Sequence, residues 1–146
     1  MERKTTEIVK QKLAEYRRIE VKIKNIDEEI SIERELAKPS VQAVAFGEKV
    51  GHGHSELNPV EKAADRRVKA SEKIRRLQGE KGIAATRLRQ IDNALDALAE
   101  TEKQIVTLHY IRRSSWANVA RKVYISERRV KTKAYKALKK LAEMLP

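Results

Sequence analysis

Cysteine is absent from this 146-residue chain. That excludes disulfides and thiolate metal sites, and it fits a reducing compartment. Glycine (5) and proline (3) are scarce, so turns are few and regular elements are long. Aromatic residues make up 4% of the chain while charged residues make up 37%. That balance suits long solvated helices better than a large globular core. No apolar run approaches the roughly 18 residues that a membrane span needs. The N-terminal MERKTTEIVK lacks the apolar segment of a secretory signal. The expectation is a cytosolic protein of one domain, or of one small domain plus an accessory element.

What is present in excess is positive charge. The chain carries 33 Lys and Arg against 21 Asp and Glu, a net of +12. From Glu102 to Pro146 there are twelve basic and three acidic residues, a net of +9; the residues before them hold only +3. The positive field belongs to the last third, which points to a polyanionic partner docking there. The simpler alternative is a solvated basic face that keeps the chain in solution.

Residues from about Thr5 to Lys38 read as one amphipathic helix. Val9, Leu13, Tyr16, Ile19, Ile23, Ile26 and Ile30 keep a three-to-four spacing, Leu36 follows, and Pro39 ends the run. PSVQAVAFGEKVGHGHSELNP is aperiodic and reads as a connection over about 39–58, holding the only phenylalanine, Phe46. A second long helix opens at NPVEK. Asn58 suits the N-cap, Pro59 the first helical position, and Glu61 follows three residues after the cap. Ile74, Leu77, Ala84, Leu88, Ile91, Leu95 and Leu98 form its stripe, interrupted by Lys81. Gly79 and Gly82 weaken its middle, where a kink is expected near QGEKG. The two helices are expected to fold back as an antiparallel hairpin over residues 1–100. A pair of helices covers its stripes incompletely, which argues for oligomerisation, with a dimer favoured, or for binding a partner; the plainer alternative is that the hairpin packs only on the C-terminal module.

Residues 101–146 read as three shorter helices. In TEKQIVTLHYI, Thr101 and Gln104 are placed as a capping box, with Ile105, Val106, Leu108 and Ile111 apolar. SSWANVARKV has Ser114 or Ser115 as N-cap and Trp116, Val119, Ala120 and Val123 facing inward. After a short turn at Tyr124–Ile125, Ser126 caps the last helix. Its Val130, Ala134, Ala137, Leu138 and Leu141 form one apolar face. This is the layout of a helix-turn-helix in an all-α protein. The outer positions of the last helix are Glu127, Arg128, Lys131, Thr132, Tyr135 and Lys136. Arg128 and Lys131 suit guanine acceptors, and Glu127 suits a cytosine donor. Lys122, Arg129, Lys133, Lys136, Lys139 and Lys140 are better placed for phosphates, which fix register without reading sequence.

At the level of family, EKQIVTLHYIRRSSWANVARKVYISERRVKTKAYKALKKL resembles region four of bacterial sigma factors. NVARKVYIS stands where that family has E-I-A-x-x-L-G-[IV]-S, and the Ala-Leu-x-x-Leu of its last helix is matched at Ala137–Leu141. The whole chain is similar to the short sigma-like regulators of phages and prophages of Gram-positive bacteria, the ArpU and RinA type. Those join a helical hairpin to a motif matched here by HYIRRSSWANVARKVYISERRV. The resemblance implies an activator of phage operons, often late genes, working on double-stranded DNA in the host cytoplasm with host RNA polymerase. It places Glu127, Arg128, Lys131 and Thr132 in the base-reading stretch, beside Tyr135. Ser115 and Ala117 fall in the backbone-contacting stretch, and Ser126 at the mouth of the reading helix. Two positions depart from the family. Tyr124 replaces the turn glycine and must turn left-handed or change the geometry, and Lys133 replaces an apolar residue.

Other features are bland. His52, His54 and His109 are too few and too scattered for a metal site. Trp116, Tyr110 and Tyr124 are expected to pack structurally. Asp27, Glu28 and Glu29 read as a solvated face. No nucleophile–base pair and no phosphate-binding glycine loop is visible, so no enzyme and no cofactor is expected. Two competitors to the regulator are a DNA-packaging protein of the small terminase type and a protein that coats DNA without sequence preference.

Overall fold

The chain is described here from a computed structural model, which covers residues 2–38 and 58–146. Except for Asn58, the expected connection lies outside the described residues, with Pro39, Phe46, His52 and His54. The described residues are helical, with no strand. Helix α1 runs Glu2–Ala37, α2 Pro59–Asp96 and α3 Glu100–Val106. A π-helical turn, Thr107–Ile111, continues α3. Helix α4 is Trp116–Val123 and α5 is Glu127–Met144. Among the described residues no helix is long and apolar enough to cross a membrane.

The chain forms two compact units. Residues 23–83, from the middle of α1 to the middle of α2, make one. There Ile26 and Ile30 bury against Leu77, with Ile74 alongside. Lys73 pairs with Glu33 at 2.7 Å and Lys81 with Asp27 at 2.5 Å. One number rises as the other falls, so the two helices run antiparallel, as their stripes imply. The lysine that interrupts the apolar pattern is thereby given a carboxylate. At its start, α2 has the expected cap. The Asn58 side-chain oxygen accepts from the Glu61 N–H at 2.7 Å, and Glu61 reaches back to the Asn58 N–H at 3.4 Å. The two orphan donors are satisfied reciprocally.

The helix passes unbroken through Gly79 and Gly82, and a Cβ at either would meet no atom within 4 Å. Alanine there removes unfolded-chain entropy without a clash. Gly79→Ala and Gly82→Ala are each expected to stabilise by about 0.5–1 kcal/mol, read as a higher urea midpoint. A lower midpoint would mean that the glycines meet a close neighbour.

The second unit joins residues 1–22 to 84–146. Val9 and Leu13 of α1 share a core with Ile91, Ala94 and Leu95 of α2, Leu98 of the turn after it, Val106 and Ile111, and Ala137, Leu138 and Leu141 of α5. The expected division at residue 100 falls inside this unit. The physical reason is that the apolar stripes of α1 and α2 in this unit share one core with α5, Val106 and Ile111. Tyr16 stands at the edge of this core and donates to Asp92 Oδ1 at 2.6 Å. Burial and that carboxylate push its phenol above the ordinary tyrosine range.

A smaller cluster of Ile105, Val119, Val130 and Ala134 holds α3, α4 and α5 together, with Trp116, Ala120, Val123 and Ile125 packed on it. Two of the expected caps form. Ser115 Oγ accepts from the Asn118 N–H at 3.2 Å, and Ser126 Oγ from the Arg129 N–H at 3.3 Å. The expected Thr101–Gln104 capping box does not. Helix α3 starts two residues earlier, capped by extended Ala99 with no side-chain bond. Glu100 and Glu102 in its first turn offset the helix dipole instead.

The turn between α4 and α5 is built on Tyr124. Its backbone is left-handed, φ 59°, ψ 36°. The N–H groups of Tyr124 and Ile125 both reach the Ala120 carbonyl, the second at 3.3 Å. This is a Schellman-type helix end, and it requires the left-handed residue that glycine usually supplies. The resemblance allowed a left-handed turn or a changed one, and the turn keeps the shape. A side chain there costs about 1–2 kcal/mol, partly offset by glycine's greater unfolded-state entropy. Tyr124→Gly is therefore expected to stabilise the chain by about 1 kcal/mol. Thermal and urea melts check this, and a destabilised variant would show that the ring holds something in the fold.

Candidate nucleic-acid interface

Helix α5 sorts its residues by face. Val130, Ala134, Ala137, Leu138 and Leu141 are buried. Opposite them, Arg128, Thr132, Tyr135 and Lys139 recur at i, i+4, i+7 and i+11, so they form one outward row. All four are exposed. The row spans about 16 Å at the helical rise. Arg129, Lys133, Lys136 and Lys140 keep the same spacing and make a second, parallel row on the flank. Arg129, Lys136 and Lys140 are exposed and Lys133 is half-buried. The lysine in an apolar family position thus sits at the border of the core, its stem covered and its charge free to reach outward.

Neighbours tie several of these side chains in the unbound chain. Glu127 pairs with Lys131 at 3.5 Å, both about half exposed. Such surface pairs contribute about 0–1 kcal/mol, so opening this one toward base edges costs little. The Thr132 hydroxyl donates to the Arg128 carbonyl at 3.1 Å. Lys139 stands over the Tyr135 ring, 4.7 Å from its centre. Lys140 is bound to Glu102 of α3 at 3.0 Å, so its assignment to a phosphate competes with a carboxylate that sequence spacing did not reveal. Lys122, Ser126 and Glu127 are exposed, as are Ser115 and Ala117 at the start of α4. The hydroxyls of Ser115 and Ser126 are already engaged as caps, and each keeps its hydrogen and one lone pair for further contacts.

The support behind α4 is less ordinary. The Arg112 N–H reaches the Thr107 carbonyl at 2.9 Å, and the Ser114 N–H reaches Leu108 at 2.8 Å. Arg113 between them is left-handed, φ 57°. This widened turn brings His109 flat onto Trp116, centroids 3.5 Å apart and 16° from parallel. A carbonyl only accepts, so His109 Nδ1 carries the proton that bonds Ser114 O at 2.8 Å. Trp116 is thus used inside the fold, its edge met by Tyr110 at 6.0 Å, and it does not project as a stacking platform. No sequence signal marks the left-handed residue after the π turn, because RRSS contains neither glycine nor asparagine.

A helix with an outward basic row, capped at its entry and crossed behind by a short helix, is the geometry of a major-groove reader. Residues 88–141 match the family model of sigma-70, region 4. The match covers little more than a third of the chain and begins on the last turns of α2. That start agrees with Ile91, Leu95 and Leu98 sharing the core of α5. No curated protein and no solved structure matches the chain. The sigma-type helix-turn-helix gives the chain a DNA-binding, transcription-related role. Every residue expected to read bases or hold phosphates lies within 88–141 or on the same helices.

Elsewhere, a cleft of about 300 Å³ opens beside Tyr16, Asp92, Asp96, Lys103 and Arg112. Its ionisable groups are partnered: Tyr16 with Asp92, Lys103 with Asp96 at 2.6 Å, and Arg112 with Glu20 at 3.6 Å. The carboxylate of Asp96 raises the Lys103 pKa. No group of three or more metal-binding side chains occurs among the described residues.

Proposed function

We propose that the chain is a sequence-specific transcriptional regulator, and not an enzyme, that activates phage-type late genes at their promoters together with host RNA polymerase. The observation that carries the reading is the outward row of α5. Arg128, Thr132 and Tyr135 stand exposed with Glu127 and Lys131 beside them, and the matched segment has the sigma region-four pattern. Bases are read by the first turns of α5, and phosphates are held by Arg129, Lys133, Lys136 and Lys140 on the flank and by Lys122 and the start of α4. The test is competition binding at moderate salt between phage promoter fragments and bulk duplex, followed by transcription with added polymerase. Equal affinity for every sequence would replace the regulator with a non-specific DNA-coating protein.

The residue 23–83 unit is assigned to self-association, with a dimer favoured. Supporting this, Ile32 and Leu36 of α1 and Val60 and Val68 of α2 are all more than half exposed, more apolar surface than a solvated hairpin has use for. Light scattering on the full chain decides it. A dimer fits the regulator, whereas a ring of eight or more copies would favour a packaging protein.

A further inference from the structure

We propose that Tyr124, at the turn between α4 and α5, is a DNA-backbone contact whose phenol hydroxyl donates to a phosphate oxygen. The inference rests on the DNA-binding reading and adds a residue to that interface which its motif does not assign. Tyr124 is left-handed, a conformation that a side chain disfavours, and its ring is 92% exposed. Burial does not compensate the strain. Tyr16 and Tyr110 are accounted for inside the fold, the first bonded to Asp92 and the second packed beside Trp116, while Tyr135 already belongs to the outward row of α5, under Lys139. A strained, uncovered aromatic residue points to a use outside the folded chain.

Its surroundings select the class of ligand. Tyr124 lies two residues before Ser126, the cap of α5. Arg121, Lys122, Arg128 and Arg129 lie within five residues of it, against one acidic residue, Glu127. The first N–H groups of α5 add the positive end of a helix dipole. The favoured partner is therefore an anion. A reading helix enters the groove by its N-terminal residues, so the turn that leads into the cap meets the groove's edge, where phosphates stand. A phenol hydroxyl is among the groups that hold them. Arg113 is also left-handed, but replacing it removes a charge and blurs the readout. Tyr124 is neutral, so its loss isolates the contact.

The experiment measures affinity of the full chain for a short random-sequence duplex at low salt, beside thermal melts. Tyr124→Phe keeps the ring and removes the hydroxyl. It is expected to melt like the parent and to bind about five- to tenfold more weakly. Tyr124→Gly is expected to melt higher yet bind no better than Tyr124→Phe, so stability and affinity move in opposite directions. Parental affinity in Tyr124→Phe overturns the hydroxyl contact, whatever the glycine variant does, and leaves the DNA-binding reading standing. A parent chain that binds no duplex at all overturns that reading and the contact together.

Discussion

Leu13→Ala is expected to lower the unfolding free energy by about 3 kcal/mol, and to do so as read from the helix-turn-helix, more than a hundred residues further along the chain. Leu13 is fully buried, in a core that it shares with Leu95 of α2, Leu98 of the turn that follows and Ala137, Leu138 and Leu141 of α5. Truncation removes the transfer free energy of the lost methyl and methylene groups and leaves a cavity. The backbones of three helices limit how far that cavity collapses. Trp116 is the only tryptophan and sits on the adjoining cluster of α3, α4 and α5. Its fluorescence therefore reports the helix-turn-helix, while far-UV circular dichroism reports all helices. Both urea transitions should move to lower midpoint together. If the Trp116 transition stayed in place while the dichroism shifted, the last 46 residues would fold independently of α1, and the shared core would not be a cooperative unit.

The same core shows what was legible in the sequence and what was not. Local chemistry read well where one residue decides it. Asn58, Ser115 and Ser126 are caps because a short side-chain oxygen reaches an N–H two or three residues on, and that geometry is fixed by the backbone alone. The buried face of α5 was legible for the same reason, since helical periodicity places Val130, Ala134, Ala137, Leu138 and Leu141 together without reference to any partner. Thr101 and Gln104 had the spacing of a capping box and failed. The chain leaves α2 at Asp96 and restarts at Glu100, so Thr101 lies inside the first turn of α3 and cannot act as its cap. Partners across the fold were not legible at all. Nothing in the sequence links Leu13 to Leu138, or Glu102 to Lys140, because stripe positions give a face and not a neighbour. The π turn and the left-handed Arg113 belong to the same class, since they accommodate the stacking of His109 on Trp116 that local propensity does not encode.

Arg128→Ala is expected to lower discrimination between a selected binding site and a scrambled one by about 1–3 kcal/mol, while Lys136→Ala weakens both duplexes alike. The difference follows from the two rows of α5. Arg128 heads the outward row, in the first turn after the cap, where a guanidinium in the groove can give two parallel N–H bonds to the N7 and O6 acceptors of guanine. A wrong base leaves those donors facing a donor or a methyl group, so the loss depends on sequence. Lys136 lies on the flank row between Lys133 and Lys140, where an ammonium meets only phosphate oxygens, the same for every base pair. Its removal should reduce the slope of log affinity against log salt by about one, and Arg128→Ala should change that slope less. The measurement is a salt series on two duplexes, the sequence the parent chain selects from a random pool and a scrambled version of it. Both side chains are exposed, so neither change should disturb the fold, and matching melts would confirm that. If the two variants lost affinity equally on both duplexes, the outward row would not be reading bases, and the asymmetry between the rows would be one of position alone.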